Sequence, residues 1–166
     1  MATIFKSDGI TNAEMAIRVY NPSNTEAKPI RLYFRAVLPA TGLGVGDSIR
    51  LCILHQNMRV LGGQFCWSVG QGATATTAIG RVTGGQAALP GGGGASSDPE
   101  RYRAAAVTNS ADVFRFADTQ AQNFGDALPA VNNEYGPGRN VELVATNGAA
   151  AWTAGSVLAG YVDVST

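Results

Sequence analysis

The chain has 166 residues, of which 45% are hydrophobic and only 14% are charged. This length suits a single domain whose core needs no help from disulfides. Twelve basic and twelve acidic residues give zero net charge, so no long-range field favours nucleic acid or an anionic membrane. A charge content below the ~25% of ordinary globular domains, with no net charge to oppose association, indicates a surface that other subunits cover.

Residues 1–14 show only weak periodicity and are predicted to form an N-terminal arm. We expect a neighbouring molecule to order this arm, with Ile4 and Phe5 as its contact residues. Residues 15–166 are predicted to form one domain. The opening residues contain no basic region followed by a long apolar stretch, so no signal peptide is predicted.

The first half of the domain predicts five strands separated by turns, over residues 15–20, 30–38, 48–54, 59–70 and 73–83. The second of them alternates with period two, which predicts one buried face and one wetter face. Its buried face carries Leu32, Phe34, Ala36 and Leu38, and its wetter face carries Arg31, Tyr33, Arg35 and Val37. The third alternates in the same way, with Ile49, Leu51 and Ile53 set against Arg50, Cys52 and Leu54. Gly62 and Gly63 predict a bulge or bend within the fourth.

The second half predicts a long loop, one helix and three further strands. The loop spans residues 84–97 and contains Gly91 and Gly92, which we expect to contact a partner because long loops in compact domains are usually functional or mobile. The sequence Asp-Pro-Glu at 98–100 has the residue types of a helix start and predicts a short helix over 101–107. The strands are predicted over 111–117, 140–146 and 156–164, with Gly160 at a point of close approach.

The pattern as a whole predicts an all-β fold. Short strands punctuated by 21 glycines are typical of sandwiches and barrels. The predicted architecture is a jelly-roll-like two-sheet β-sandwich with one short helix.

The two cysteines and the single histidine are the candidates for metal binding. Cys52 and Cys66 are too few for a disulfide framework and are interpreted as buried free thiols, with a single disulfide as the alternative. With His55 they would supply three ligands, whereas structural zinc usually takes four in paired short spacings. His55 lies in a predicted turn beside Gln56 and Asn57, which favours a solvated side chain over a general base. We therefore predict no metal and no cofactor.

Sequence patterns of common catalytic sites are missing. The glycines at 91–94 are followed by Ala-Ser-Ser instead of the Gly-Lys-Ser/Thr of a phosphate-binding loop. Scattered carboxylates could meet in space as a glycosidase pair, although nothing in the sequence selects two of them. These carboxylates are Asp112, Asp118, Asp126, Glu134 and Glu142. We predict that the chain is not an enzyme and binds no small molecule.

The two tryptophans differ in their predicted environment. Trp67 alternates with Phe65 and Val69, which predicts packing in the core. Trp152 lies in an Ala- and Gly-rich loop over residues 148–155. We interpret it as an interface anchor, with stacking on a sugar as the alternative.

Several short motifs follow one another in an order known from one group of proteins. They are G-D-S-I-R-L at 46–51, M-R-V-L-G-G at 58–63, S-V-G at 68–70, T-A-I-G at 77–80, D-P-E-R-Y at 98–102 with A-A-A at 104–106, V-E-L-V-A-T at 141–146, and L-A-G-Y at 158–161 after Gly155. In this order they resemble small bacteriophage virion proteins of the capsid decoration (cement) type, over residues 46–164. The sequence departs from that pattern at 55–57, where a Pro-Ala-Gly-type turn is common.

The resemblance implies a jelly-roll-like capsid decoration protein or a related minor head or tail component. Such proteins often form trimers, so the expected partners are further copies of the chain in a homotrimer and the major capsid protein. The expected location is the virion, after assembly in the host bacterial cytoplasm. No catalytic residue carries over. The alternatives are a tail, connector or carbohydrate-binding receptor component on the same sandwich, and a hydrolase.

Overall fold

The computed structural model describes residues 4–6, 29–54, 58–83, 98–117 and 141–165. These residues form nine strands in two sheets, which confirms the predicted β-sandwich. The strands are β1 (Ile4–Lys6), β2 (Ile30–Val37), β3 (Ser48–Leu54), β4 (Arg59–Trp67), β5 (Thr76–Thr83), β6 (Asp98–Val107), β7 (Val113–Arg115), β8 (Val141–Asn147) and β9 (Val157–Ser165). Within these ranges no helix is long and apolar enough to cross a membrane.

The strand order shows that both sheets are built from distant parts of the sequence. Sheet A has the order β1-β3-β8-β5-β6, and sheet B has the order β2-β9-β4-β7. The pairs are antiparallel apart from β1 and β3, which run parallel through Ile4 opposite Ser48. β2 and β9 pair over their whole common length, so sheet B forms only when distant parts of the chain meet.

One hydrophobic core fills the space between the two sheets. Sheet B contributes Phe65, Trp67 and Val162, and sheet A contributes Ile49 and Leu143, all at most 1% exposed. Each of these alternates along its strand with outward residues, as period-two geometry requires. Burial of large apolar side chains of this kind stabilises the fold by about 1.5–3 kcal/mol each.

β2 has the two faces that its alternation predicted. Phe34 and Ala36 are buried, whereas Arg31, Tyr33 and Arg35 are exposed. The hydrophobic pattern therefore determines which side of this edge strand faces the core.

β3 departs from the predicted alternation. Its register with β8 shifts between Arg50 and Cys52, which marks a bulge. A bulge inserts one extra residue and breaks period two. As a result Leu51 and Cys52 both belong to the core, and Ile53 is only partly buried.

The predicted helix over 101–107 is wrong, because Asp98–Val107 is strand β6. Asp98 does accept a hydrogen bond from the backbone N–H of Glu100, at 3.1 Å, as a helix cap would. The chain nevertheless continues extended, since β6 pairs with β5 and buries Tyr102 and Arg103. The Arg103 guanidinium donates to the carbonyl of Arg115 at 3.0 Å. Burial and sheet pairing outweigh a local helix signal that is worth about 1 kcal/mol.

Two predictions about glycines are confirmed. The register of β4 with β9 shifts between Val60 and Gly62, which is the bulge predicted there. Gly62 has φ of 158°. At Gly160 a Cβ atom would lie 2.2 Å from the carbonyl oxygen of Gln64, so the close approach predicted for β9 requires glycine.

Some predicted features lie outside the described residues. They are the strand over 15–20, the turn at His55, and the loop over 84–97 with Gly91 and Gly92.

Candidate interaction surface

The side of sheet B that faces away from the core is open to solvent. We call it the outer face; it consists of the outward residues of β2, β9, β4 and β7. The register places Tyr33 opposite Tyr161, and Tyr161 opposite Gln64. In the next row Arg35 lies opposite Ala159, and Cys66 lies beyond it.

The outer face exposes large apolar side chains. Tyr33 is 71% exposed, Val113 is 52% exposed and Leu61 is 43% exposed. These residues come from three different strands of one sheet. They are spread over the face from the edge strand β2 to the edge strand β7, so the face presents apolar surface at several points.

An exposed ion pair joins the edge strand β2 to β9. Arg31 donates from Nε to Oδ1 of Asp163 at 2.7 Å and from Nη2 to Oδ2 at 2.9 Å. These hydrogen bonds raise the pKa of the Arg31 guanidinium above its usual value. The same guanidinium lies 3.7 Å from the centre of the Tyr161 ring, and Tyr33 meets that ring edge-on at 6.1 Å. The contacts hold four side chains in one arrangement, so this corner of the face is preorganised.

The central strands of sheet A contrast with this open face. In β8, Glu142 and Val144 alternate with core residues and therefore point away from sheet B, yet they are 2% and 0% exposed. Glu142 forms a bidentate ion pair with Arg50 of β3, and Arg50 is 8% exposed. In sheet A, β3 and β8 are thus shielded from solvent on both sides. In sheet B only the side towards the core is shielded.

Trp152, predicted at an interface, lies inside the sandwich. It is 1% exposed, and its ring centre lies 5.1 Å from that of Trp67. Its indole N–H donates to the carbonyl of Thr76 at 3.1 Å. A bridge with Leu43 fixes its backbone. This environment leaves the ring no free surface for a partner or a sugar, and it confirms that Trp67 packs in the core.

The other predicted contact residues are only partly described. Ile4 and Phe5 lie in β1 and pair with Ser48 and Ile49 at the edge of sheet A. Gly91 and Gly92 fall outside the described residues. The roles of these residues in contacts stay predictions.

The two cysteines are free, as predicted. Cys52 is buried in sheet A, and its burial raises the pKa of the thiol to about 12. Cys66 is only partly buried and lies on the outer face of sheet B. The described residues hold no group of three His, Cys, Asp or Glu side chains that could bind a metal.

The candidate glycosidase carboxylates are not brought together where the structure describes them. Glu142 is held by Arg50 on sheet A. Asp112 is exposed beside sheet B, and its side chain accepts a hydrogen bond from the backbone N–H of Val113 at 2.7 Å. Asp118, Asp126 and Glu134 lie outside the described residues.

Sequence reasoning did not select the outer face as a site. The alternation of β2 placed Arg31 and Tyr33 on a wetter face. Their partners Tyr161 and Asp163 come from β9, and Asp163 is 132 positions away from Arg31. The sequence predicts β2 and β9 as separate strands, but it does not predict that they pair with each other.

Comparison with known proteins gives a match at the level of fold. No protein-family model matches the sequence, and no curated protein is similar to it. Among solved structures, a chain in the capsid of Ralstonia phage GP4 is similar, with a TM-score of 0.69 and 16% sequence identity. The match covers 99% of this chain and 98% of that chain. The two proteins therefore share one fold over their whole lengths.

Proposed function

We propose that the chain is a structural protein of a bacteriophage virion. In finer terms it is a capsid decoration (cement) protein that binds the assembled head as a homotrimer and has no catalytic activity. The observation that carries the proposal is the fold match over 99% of this chain to a chain from a phage capsid. The motif order from residue 46 to residue 164 supports the decoration type independently of that match.

The low charge content of the chain suits a protein whose surface becomes buried against other subunits on assembly. Only 14% of its residues are charged and its net charge is zero, which lowers the cost of desolvating its surface on assembly. Stable interfaces bury about 800 Å² per partner, and one open sheet face of this sandwich supplies apolar side chains for one. A trimer engages three weak contacts at once, so its retention on the shell exceeds that of a single subunit.

Reconstitution on capsids tests the proposal. Capsids of the phage that encodes the chain would be prepared with its gene disrupted, and the purified chain would be added back. We expect the chain to co-sediment with these capsids and to raise the temperature at which they open. Deletion of residues 1–14 should weaken retention if the arm is a contact element. A monomeric chain that binds no capsid would overturn the proposal.

A receptor-binding role is the weaker alternative. The sequence selected Trp152 as the ring that would stack on a sugar, and both tryptophans are buried. The exposed aromatic ring among the described residues is that of Tyr33, at 71%. Imaging of virions with the labelled chain separates the roles, since a decoration protein labels the head and a receptor-binding component labels the tail tip.

A further inference from the structure

We infer that the free edge of strand β2 pairs with β2 of a second copy across a twofold axis, so that two copies of sheet B join into one continuous sheet. A twofold contact cannot close a trimer. The pairing is therefore additional to the proposed homotrimer and would join copies that belong to neighbouring trimers. Three features of β2 support it: its unpaired backbone groups, its regularity and the incomplete burial of two inward side chains.

The first feature is the unpaired backbone of the edge. Leu38 donates its backbone N–H to the carbonyl of Ser156 at 2.8 Å. Hydrogen-bonded and non-hydrogen-bonded pairs alternate in an antiparallel ladder, so the even-numbered residues of β2 are the ones that bond to β9. The backbone N–H and C=O groups of Arg31, Tyr33 and Val37 therefore point away from β9. Among the described residues no strand pairs with β2 on that side.

The second feature is the regularity of β2. Natural proteins usually keep an edge strand from pairing by shortness, proline, a bulge or an inward charge. β2 has eight residues, contains no proline and pairs with β9 without a register shift. Its inward side chains are all apolar, and the guanidinium of Arg31 is turned towards β9 by its bonds to Asp163. β2 therefore lacks the features that would stop another strand from adding to it.

The other edges of the two sheets are less suited to strand addition. β1 and β7 have three residues each. β6 is longer, but it contains Pro99 and its register with β5 shifts twice. A proline cannot donate to a ladder, and a shifted register bends the strand. Among the described strands, β2 is thus the edge that offers a long and regular row of donors and acceptors.

The third feature is the incomplete burial of two inward side chains. Ile30 and Leu32 pack against the core but are only partly buried. Their neighbours on β9, Val164 and Val162, are 0% exposed. Solvent therefore reaches Ile30 and Leu32 from the side that lies away from β9. A strand added at this edge would cover both side chains, and the removal of their apolar surface from water would favour the pairing.

A second copy of β2 fits this edge because the edge can be paired with itself in full register. An antiparallel pairing centred on Phe34 places Tyr33 opposite Arg35 and Arg31 opposite Val37, so edge-facing residues meet edge-facing residues along the whole strand. Each such pair exchanges two backbone hydrogen bonds. The Tyr33 ring, 71% exposed in the single chain, would pack on the aliphatic stem of Arg35.

An extended segment of another protein is the competing occupant. It could satisfy the backbone groups of one β2 edge, as strand addition does in other complexes. Pairing of two copies satisfies both β2 edges at once and covers Ile30 and Leu32 in each copy. The second copy is therefore the partner that leaves neither edge exposed.

A proline variant tests the backbone contact. Tyr33→Pro removes an N–H that points to the free edge, and it leaves the ladder with β9 intact because that ladder uses the even-numbered residues. Its matched control Tyr33→Val loses the same ring and hydroxyl but keeps the N–H. Sedimentation equilibrium of the purified full chain should show self-association weakened at least about tenfold in Tyr33→Pro. Tyr33→Val should keep most of the association.

Disulfide cross-linking tests the register and does not depend on the proline variant. In a Cys66→Ala background, a chain with Tyr33→Cys is mixed with a chain that has Arg35→Cys. Opposite residues in the inferred register have Cα atoms about 5.5 Å apart, which suits a disulfide. Oxidation of the mixture should therefore give a covalent dimer. Either variant alone should give little, because identical residues are then diagonal neighbours about 7–8 Å apart.

The outcomes separate this pairing from the proposed function. Wild-type chain that self-associates and cross-links but binds no capsid would overturn the proposed function alone. Equal self-association of Tyr33→Pro and Tyr33→Val would overturn the pairing, as would a mixture that gives no covalent dimer. A chain that does not self-associate, but whose retention on capsids falls in Tyr33→Pro, would assign the edge to a segment of the shell and also overturn the pairing. Both Tyr33 variants must melt near the wild-type temperature, and if Tyr33→Pro does not, the cross-linking decides.

Discussion

At the scale of single residues, Cys52 couples burial to protonation. Its thiol has a pKa raised to about 12 in the folded chain, against about 8.5 for an unperturbed cysteine. Between these two values only the unfolded chain releases the proton. The stability contributed by the neutral thiol is therefore complete below about pH 8.5 and is lost as the pH rises towards 12.

The Cys52→Ala variant tests this coupling. Between about pH 9 and 10.5, the free energy of unfolding of the wild type should fall more steeply than that of the variant, by up to about 1.4 kcal/mol per pH unit. Urea titrations at several pH values measure both slopes. Cys66→Ala, at a partly exposed thiol, is the matched control. Parallel curves for wild type and Cys52→Ala would contradict the prediction.

The ion pairs Arg50–Glu142 and Arg31–Asp163 should differ in their effect on stability. Arg50 and Glu142 are 8% and 2% exposed, and Glu142→Gln removes the carboxylate that this buried guanidinium pairs with. We expect a loss of about 3–5 kcal/mol in the free energy of unfolding. Asp163→Asn breaks a pair whose side chains are 45% and 29% exposed, so its effect on stability should be much smaller.

Chemical denaturation of both variants measures this difference. The double variant Arg50→Leu with Glu142→Leu should recover much of the stability lost in Glu142→Gln, because it removes both buried charges of the pair. Equal losses for Glu142→Gln and Asp163→Asn would show that burial does not control the strength of these pairs.

At the scale of elements, the close contact between β9 and β4 requires that residue 160, a glycine, has no side chain. A Cβ atom at Gly160 would lie 2.2 Å from the Gln64 carbonyl and 2.8 Å from the Phe34 ring. Gly160→Ala should therefore destabilise the fold by about 1–3 kcal/mol or more. Gly72→Ala is the matched control, since no atom beyond Gly72 and its two chain neighbours lies within 4 Å of the added carbon. Thermal melting of the pair checks the prediction, and a neutral Gly160→Ala would refute it.

The strands β3 and β6 show how much of the fold the sequence could predict. The bounds of β3 match the predicted 48–54, because a compact apolar run after a glycine-rich loop identifies a strand whatever its partner is. β6 was mispredicted because Asp98 and Pro99 are residue types that often start a helix. The segment is extended because it pairs with β5, and no local sequence pattern predicts that pairing. The outer face depends on register between distant strands in the same way, so only the part that β2 contributes could be anticipated.

At the scale of the whole molecule, the two sheets have different surroundings. β3 and β8 of sheet A are buried on both sides, whereas sheet B shows an apolar, arginine-bearing face to solvent. A sandwich with one closed and one open side has a preferred orientation on any surface that it covers.

The contact between Trp67 and Trp152 has a practical consequence for optical measurements. Both indoles are 1% exposed and their centres are 5.1 Å apart, so their emission reports the integrity of the core and should shift to the red when the chain unfolds. Neither indole lies on the outer face of sheet B. Adsorption through that face should leave the emission maximum unchanged, while tyrosine absorbance, which includes Tyr33, responds. The chain thus carries one spectroscopic reporter for folding and a separate one for contacts made by that face.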